Sequence, residues 1–403
     1  MFFPAVGIVA EYNPLHKGHL YHINEARRIS SAECAVAVLS SDFVQRGEPA
    51  LLDKWTRAEA ALSCGCDLVL ELPVLWSSHN AGVFSNGAVD LLAATGVVSS
   101  LAFGAETPDC LTDSIIDILL EEPEPFKLSL KKHLDEGFSF VEARARAADE
   151  LLPGSARIFS GSNNTLALSY MTRIRQKNYE MAALPIKRVG AAYTSAELEE
   201  VSSATAIRKA IKEGRTEEAM GAMPEASASI LRGAMLDGRA CTDGAVLWKL
   251  LRAALLRASA EELRQTAEIS EGIEYKMKEL ALESESFEQW VDGCTSKRYT
   301  AGRIRRYAIH VLLGLGHWTN RAAQRLGPPY IRVLGMNGAG RKLLRKMRGK
   351  STLPIAVTCG QAARASAYAA EAARVDLLAA ELWEELIPGG RLGGEHKRKI
   401  IMA

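Results

Sequence analysis

The chain has 403 residues, 49 of them basic and 48 acidic, and 48% of it is hydrophobic. That is an ordinary globular composition with room for two or three domains. No apolar run approaches the ~20 residues of a membrane span, and Met1-Phe2-Phe3-Pro4 is no charged leader before a long apolar segment, so neither an anchor nor a signal peptide is expected. Cys34, Cys64, Cys66, Cys110, Cys241, Cys294 and Cys359 follow no pairing or metal-binding pattern. Reduced thiols and a cytoplasmic location are expected from that usage.

Ala5 to Glu11 reads as a first, buried strand. Asn13-Pro14 marks a turn, and residues 18–30 have helical periodicity. Further strands are predicted at Ala35–Ser40, Asp67–Leu72 and Ser100–Phe103, with helices at 54–64 and 87–95 between them. This alternation predicts an α/β domain with a parallel sheet, whose ligands bind beyond the carboxyl ends of the strands. Residues 110–150 are helical and charged, and read as an insertion or lid. Ser160 to Asn164 is a loop opening another helix, and Pro185–Val189 is a further strand. Ser202 or Ser203 caps a helix running through Thr205 and Arg208.

Beyond about residue 215 the pattern turns helical, at Val246–Ser259, Ala260–Glu283, Ser286–Val291 and Arg303–Leu315. Short strands are predicted at Tyr330–Leu334 and Leu353–Thr358. A boundary near 215 therefore divides an α/β domain, 1–215, from a mainly α-helical one, 216–403. Charge is segregated as well. Lys297 to Lys350 holds fourteen Lys or Arg and no acid; against a whole-chain charge of +1, that leaves −13 for the rest. Such a block is the footprint of a polyanion partner.

The chemistry is concentrated in Tyr12-Asn13-Pro14-Leu15-His16-Lys17-Gly18-His19-Leu20. His16 and His19 fall at a strand-to-helix junction and share one helix face. A helix start offers free N–H groups and a positive dipole end, which suits a polyphosphate. Gly18 allows close approach to the backbone. A zinc site lacks support, because no HExxH or Cys/His cluster accompanies the pair. GxxxxGK[ST] and a strand-linked GxGxxG are both absent. If ATP binds, attack of a carboxylate or phosphate on its α-phosphorus needs positioned donors rather than a covalent nucleophile. His16 and His19 would be those donors. Thr205 and Arg208 are candidates to hold the β and γ phosphates, with Mg2+ on the triphosphate.

His16-x-Gly18-His19 after the first strand, with Ser203-Ala204-Thr205-x-Ile207-Arg208 downstream, resembles the HIGH-motif nucleotidyltransferase superfamily. A closer resemblance covers most of the chain. Val6 to Pro14, Gln45 to Ala50, Lys54-Trp55, Phe103-Gly104, Asn163-Asn164, Lys297 to Thr300 and Pro329 to Arg332 are similar to the tRNA(Met) cytidine acetate ligase family. The resemblance implies a Rossmann-like nucleotidyltransferase domain joined to the helical one. It implies activation of acetate by ATP as acetyladenylate, with pyrophosphate released, then transfer of acetyl to N4 of the wobble cytidine of elongator tRNA(Met). It implies no acetyl-CoA; no membrane and no protein partner are expected.

For ATP the resemblance implies Val9, Ala10, Glu11, Tyr12, Asn13, Gly18 and His22 around the two histidines, with Gly104, Asn163, Arg188, Thr205 and Arg208. For tRNA it makes candidates of Lys297, Arg298, Arg303, Arg305, Arg306 and Arg332, extended by Arg341 to Lys350, with Tyr299, Tyr307 and Tyr330 available to stack on bases. Glu11 either shapes the pocket, acts as a base on the cytidine amine or pairs with Arg46. His79 and His22 read as structural rather than catalytic. The chain departs from the family where a Ser-Gly-His-Phe loop is replaced by Ser40-Ser41-Asp42-Phe43, and where Ser162 replaces a proline. Two other readings stay open on sequence alone: a small-molecule adenylyltransferase, and a non-catalytic, nucleotide-gated RNA-binding protein.

Overall fold

The computed structural model describes residues 5–188, 203–270 and 272–403. Its strands are β1 (Ala5–Ala10), β2 (Cys34–Ser40), β3 (Phe43–Val44), β4 (Glu48–Pro49), β5 (Leu68–Leu72), β6 (Val98–Ala105), β7 (Ala182–Lys187), β8 (Ile331–Met336), β9 (Ile355–Ala356) and β10 (Ile401–Met402). The main sheet has the order β10-β8-β5-β2-β1-β6-β7, with β9 beside β8. From β5 to β7 the pairing is parallel, as the alternation predicts. β8 then joins β5 antiparallel.

Alternation along each strand divides the core between two faces. Val36, Val38, Leu68 and Leu70 pack with helix Ala81–Ala94 on one side. Ala35, Ala37, Leu39 and Val69 pack with helices Lys17–Ser30 and Lys54–Ser63 on the other. The register Ala10↔Leu39 and Leu39↔Glu71 aligns the carboxyl ends of β1, β2 and β5 along one rim. The expected insertion forms helices Asp113–Glu121, Glu124–Asp135 and Phe140–Leu151.

The C-terminal half is mainly helical, but the boundary near 215 does not isolate it. β8, β9 and β10 return to the N-terminal sheet. The stretch expected as one helix at Ala260–Glu283 is two, Ala260–Arg264 and Ile273–Glu283, because Thr266 bridges to Gly316 and Ala267 donates to the Leu315 carbonyl. Helix Ala367–Glu385 is a further element that the periodicity did not reveal.

A buried ionic cluster joins the two halves. Lys54 Nζ lies 2.8 Å from Glu71, 3.1 Å from Glu395 and 3.5 Å from Asp42. Arg332 lies 3.1 Å from Glu71 and 2.6 Å from Glu395, and Trp55 Nε1 donates to Glu395 at 2.8 Å. Burial, the largest influence on Glu395, opposes its ionisation, yet Lys54 and Arg332 hold that carboxyl down at about 2. The departure at Asp42 has its place here: the carboxylate accepts from the Lys54 amide at 2.8 Å. Arg332 is thus a core residue, 1% exposed. The expectation that it meets RNA is corrected, because its guanidinium is enclosed and spent on two carboxylates.

Removing one member of a buried ion set strands the others without compensation. Arg332→Met is expected to lower unfolding free energy by about 3–5 kcal/mol in urea titration. Arg374→Ala, which breaks the surface pair with Glu371, is expected to cost at most about 1 kcal/mol. Equal losses for the two variants would contradict a structural role for the cluster.

Candidate functional site

The rim at the end of β1 carries the histidines. His16 is the N-cap of helix Lys17–Ser30, with extended backbone (φ −122°, ψ 174°). Its Nδ1 accepts from the Gly18 amide at 3.0 Å, and His19 Nδ1 accepts from the His16 amide at 3.3 Å. The pair forms a capping box built from imidazoles instead of a hydroxyl and a carboxylate. Gly18 is needed for this approach, since a Cβ there would lie 2.9 Å from the His16 ring. The two rings stack with centroids 3.8 Å apart, and Tyr12 meets His19 edge-on at 5.1 Å.

Both Nδ1 atoms are acceptors, so a neutral ring at either position carries its proton on Nε2. Both rings are held neutral. Burial, then Arg188, pushes His16 down to about 4. His19 is pushed well down by burial and by His16, His22 and Arg188. His22 is lowered to about 4 by burial and Arg188. The corner therefore presents neutral N–H donors under one arginine.

Arg188 follows β7, and its amide donates to the Ala105 carbonyl at 3.0 Å. Gly104 leaves room for its stem, because a Cβ there would lie 3.3 Å from Arg188 Cγ. Val9 and Ala10 are the last two residues of β1 before this corner. An open groove lined by Tyr21, Glu25, Pro185 and Arg188 runs beside helix Lys17–Ser30. His22 Nε2 and Asn13 Nδ2 are buried without a hydrogen-bond partner among the described residues. Buried polar atoms of this kind mark places a ligand can satisfy.

Arg208 reaches the same corner. Its Nη1 donates to the Asn13 carbonyl at 2.7 Å, while Nη2 pairs with Glu48. Thr205 is exposed on the first turn of helix Ala204–Lys212, which Ser203 caps by accepting from the Ala206 amide at 3.2 Å. Ser202 and Val189 lie outside the described residues. Glu11 does not form the ion pair with Arg46; it accepts from the Gln45 amide at 2.9 Å, and burial raises its pKa. Asn163 is close to the rim but engaged: its side chain donates to Glu106 at 2.7 Å. Glu106 went unnoticed in the sequence. It also accepts from the Asn164 amide at 2.7 Å, at the start of helix Ser162–Gln176. The exposed spacing around it carries no local signal.

The basic segment is not one patch. Lys297 and Arg298 are exposed before helix Ala301–Leu312. Arg303 lies over Tyr299 and Tyr307, at 5.0 and 5.5 Å. Arg305 pairs with Glu288, and Arg306 is mostly enclosed, with burial lowering its pKa. Gly47, in the β3–β4 turn, abuts the backbone of Arg305 and Arg306, which brings this helix to the rim. Helix Gly338–Met347, with exposed Arg341, Lys342 and Arg345, lies at the other end of the sheet: Asn337 donates to the Asp67 carbonyl before β5, and Thr352 to the Ala94 carbonyl before β6. The expectation that residues 341–350 extend the patch is therefore corrected. So is base stacking on Tyr299, Tyr307 and Tyr330, which are 7%, 0% and 1% exposed. His79 is buried and lies 3.4 Å from Glu268, a structural placement.

A histidine pKa depressed by folding makes the unfolded chain bind more protons, so stability rises with pH across that window. Here His16 and His22 should withhold protons from pH 6.5 down to about 4, and stability should fall as pH drops through that range. Histidine NMR of the ligand-free protein should show both rings neutral at pH 5.5, with the Nε2 tautomer at His16. A midpoint near 6.5 for either ring would contradict the geometry.

Residues 3–393 match the family model described as HIGH Nucleotidyl Transferase. The chain is 38% identical to the tRNA(Met) cytidine acetate ligase of Caldanaerobacter subterraneus subsp. tengcongensis, over 89% of each chain. It is 38% identical to that of Syntrophomonas wolfei, over 87% of this chain and 86% of the relative. A crystal structure of Thermotoga maritima TmcAL bound with alpha-thio ATP superposes with a TM-score of 0.92, at 31% identity and 99% coverage of both chains. The match of the family model, the identities and the superposition over nearly the whole length place this chain in the tRNA(Met) cytidine acetate ligase family of HIGH nucleotidyl transferases.

Proposed function

We propose that the chain is an ATP-dependent ligase that acetylates N4 of the wobble cytidine of elongator tRNA(Met) with acetate. The observation that carries this reading is the neutral imidazole pair at the start of helix Lys17–Ser30, its Nδ1 atoms used in the cap; His16 turns its Nε2–H to phosphate oxygens, and His19 exchanges its contact with the Pro14 carbonyl for them. An acetate oxygen attacks the α-phosphorus of ATP, and the bond to the β-phosphate oxygen breaks. Pyrophosphate leaves with the electron pair. His16 and His19 donate to oxygens on which negative charge grows, without giving up a proton permanently. Arg188 adds positive charge above the rings.

Arg208 has a competing partner, Glu48. Engagement of the β and γ phosphates by Arg208, with Thr205 beside it, exchanges that carboxylate for a polyanion. Mg2+ enters with the triphosphate as part of the substrate. Among the described residues no group of three or more His, Cys, Asp or Glu stands ready to hold a metal ion. In the second step the cytidine N4 attacks the acetyl carbonyl, AMP leaves, and the amine loses a proton. Glu11, its carboxyl raised by burial at the rim, is the candidate to take that proton. Splaying the base out of the anticodon stack gives it access. Lys297, Arg298 and Arg303 flank the rim and contact the RNA backbone, with Arg305 and Arg306 as the more enclosed members of that group. No helix among the described residues is long and apolar enough to cross a membrane. A cytoplasmic site of action fits this substrate.

Incubation with ATP, labelled acetate and unmodified elongator tRNA(Met) should place label in the RNA and release AMP and pyrophosphate in equal amounts. Acetyl-CoA should not replace acetate with ATP. His19→Ala should lower kcat by about 10²–10³, the cost of one lost donor to a developing anion. No label and no pyrophosphate would contradict the proposal. Full turnover of a small molecule without RNA would make the chain a small-molecule adenylyltransferase.

A further inference from the structure

The tyrosines expected to stack on RNA are inside the protein, but the acid-free segment does expose one aromatic ring. Trp318, on helix His317–Leu326, is 73% exposed. The other tryptophans, Trp55, Trp76, Trp248, Trp290 and Trp383, are each at most 5% exposed. What sets this indole apart is not its exposure alone but its setting among cations. Trp318, Arg321, Ala322 and Arg325 are all exposed, at spacings of three and four residues, and form one stripe. Asn320 and Ala323 face inward and anchor the helix. His317 stands edge-to-face against the indole, with centroids 5.2 Å apart at 84°.

Neither Arg321 nor Arg325 is engaged in an ion pair or hydrogen bond among the described residues. Asp90, beside Gly327 at the far end of the helix, is already held by Arg173 and Tyr179. The stripe is thus a flat aromatic surface flanked by two uncompensated guanidinium groups. The helix follows directly on Ala301–Leu312. Its start is pinned by backbone bonds, where His317 donates to the Gln265 carbonyl at 2.8 Å and Ala267 to that of Leu315 at 2.8 Å.

We propose that this face binds an unstacked nucleotide of the RNA substrate, its base on the Trp318 ring and its flanking phosphates on Arg321 and Arg325. The inference rests on the RNA substrate proposed above and adds a second contact, separate from the adenylate corner. An aromatic platform between cations is the physical solution for holding a single-stranded base. A second copy of the chain fits poorly, because a two-fold contact through this stripe would bring four arginines together with no counter-charge.

Trp318 makes its own probe, as the one strongly exposed tryptophan among the described residues. Titrating the wild-type protein with unmodified elongator tRNA(Met) should quench the acrylamide-accessible part of the emission and shield what remains. Trp318→Ala should raise Kd for that tRNA tenfold or more, while its thermal midpoint stays that of the wild type. Trp318→Phe should restore binding to within about threefold, which a purely structural role would not require. Arg321→Ala with Arg325→Ala should reduce the salt slope of log K by about 1.4. Wild-type binding with an unchanged Kd for Trp318→Ala would overturn the platform and leave the RNA substrate standing. A wild-type protein that binds no tRNA would overturn both. A wild-type dimer that Trp318→Ala converts to monomers, with RNA affinity unaltered, would make the stripe a self-interface and overturn the proposal.

Discussion

The site depends on the path of the backbone from Glu11 to Lys17, because nearly every neighbouring element is tied to it. The Glu11 carbonyl accepts from Arg57 at 2.7 Å, and that of Asn13 from Arg208 at 2.7 Å. The Asn13 side chain accepts from the Leu51 amide at 2.7 Å, and the Leu15 carbonyl from Ser227 at 2.9 Å. Lys17 donates to the Ala222 carbonyl at 3.0 Å. Arginines from two helices, the loop after β4 and the first helices of the C-terminal half therefore converge on one short segment. Backbone groups that the sheet has released at the end of β1 are satisfied by side chains, which keeps the segment in one conformation. That conformation delivers His16 to the cap position and His19 one turn later.

The imidazole cap explains why histidine suits these positions. Serine and glutamate would cap the helix equally well, but glutamate would bring a negative charge to the place a phosphate must occupy. A neutral imidazole caps through Nδ1 and still offers a donor at Nε2. Burial and Arg188 keep the rings neutral, so the cap survives near neutral pH. On the proposed function, charge for the phosphates comes instead from arginines. Arg208 shows this most clearly, because its carboxylate partner is one a triphosphate can replace.

Much of this corner was legible in the sequence. An apolar run, a turn, a glycine and two histidines in helical register are local features, and local features survive in a linear reading. The parallel strands from β1 to β7 were visible for the same reason. What could not be read was decided by distant partners. Arg332 reads as part of the basic block because residues 297–350 contain no acid, whereas its partners Glu71 and Glu395 are far along the chain. Tyr299, Tyr307 and Tyr330 look like stacking residues until packing places them in the core. Trp318, in the same segment, could not be told from them by type or spacing. Antiparallel entry of β8 beside β5 likewise leaves no mark in β8 itself, which is buried on every residue. Glu106 and Glu48 are single carboxylates whose importance comes only from which asparagine or arginine they meet.

If the two histidines hold the triphosphate through Nε2 while Nδ1 caps the helix, a crystal structure of this protein with a non-hydrolysable ATP analogue should show both Nε2 atoms within about 2.7–3.2 Å of phosphate oxygens, both Nδ1 contacts intact, and Arg208 moved from Glu48 to the phosphates. A nucleotide bound away from the start of helix Lys17–Ser30, or bound there with Arg208 still on Glu48 and the imidazoles out of reach, would contradict it.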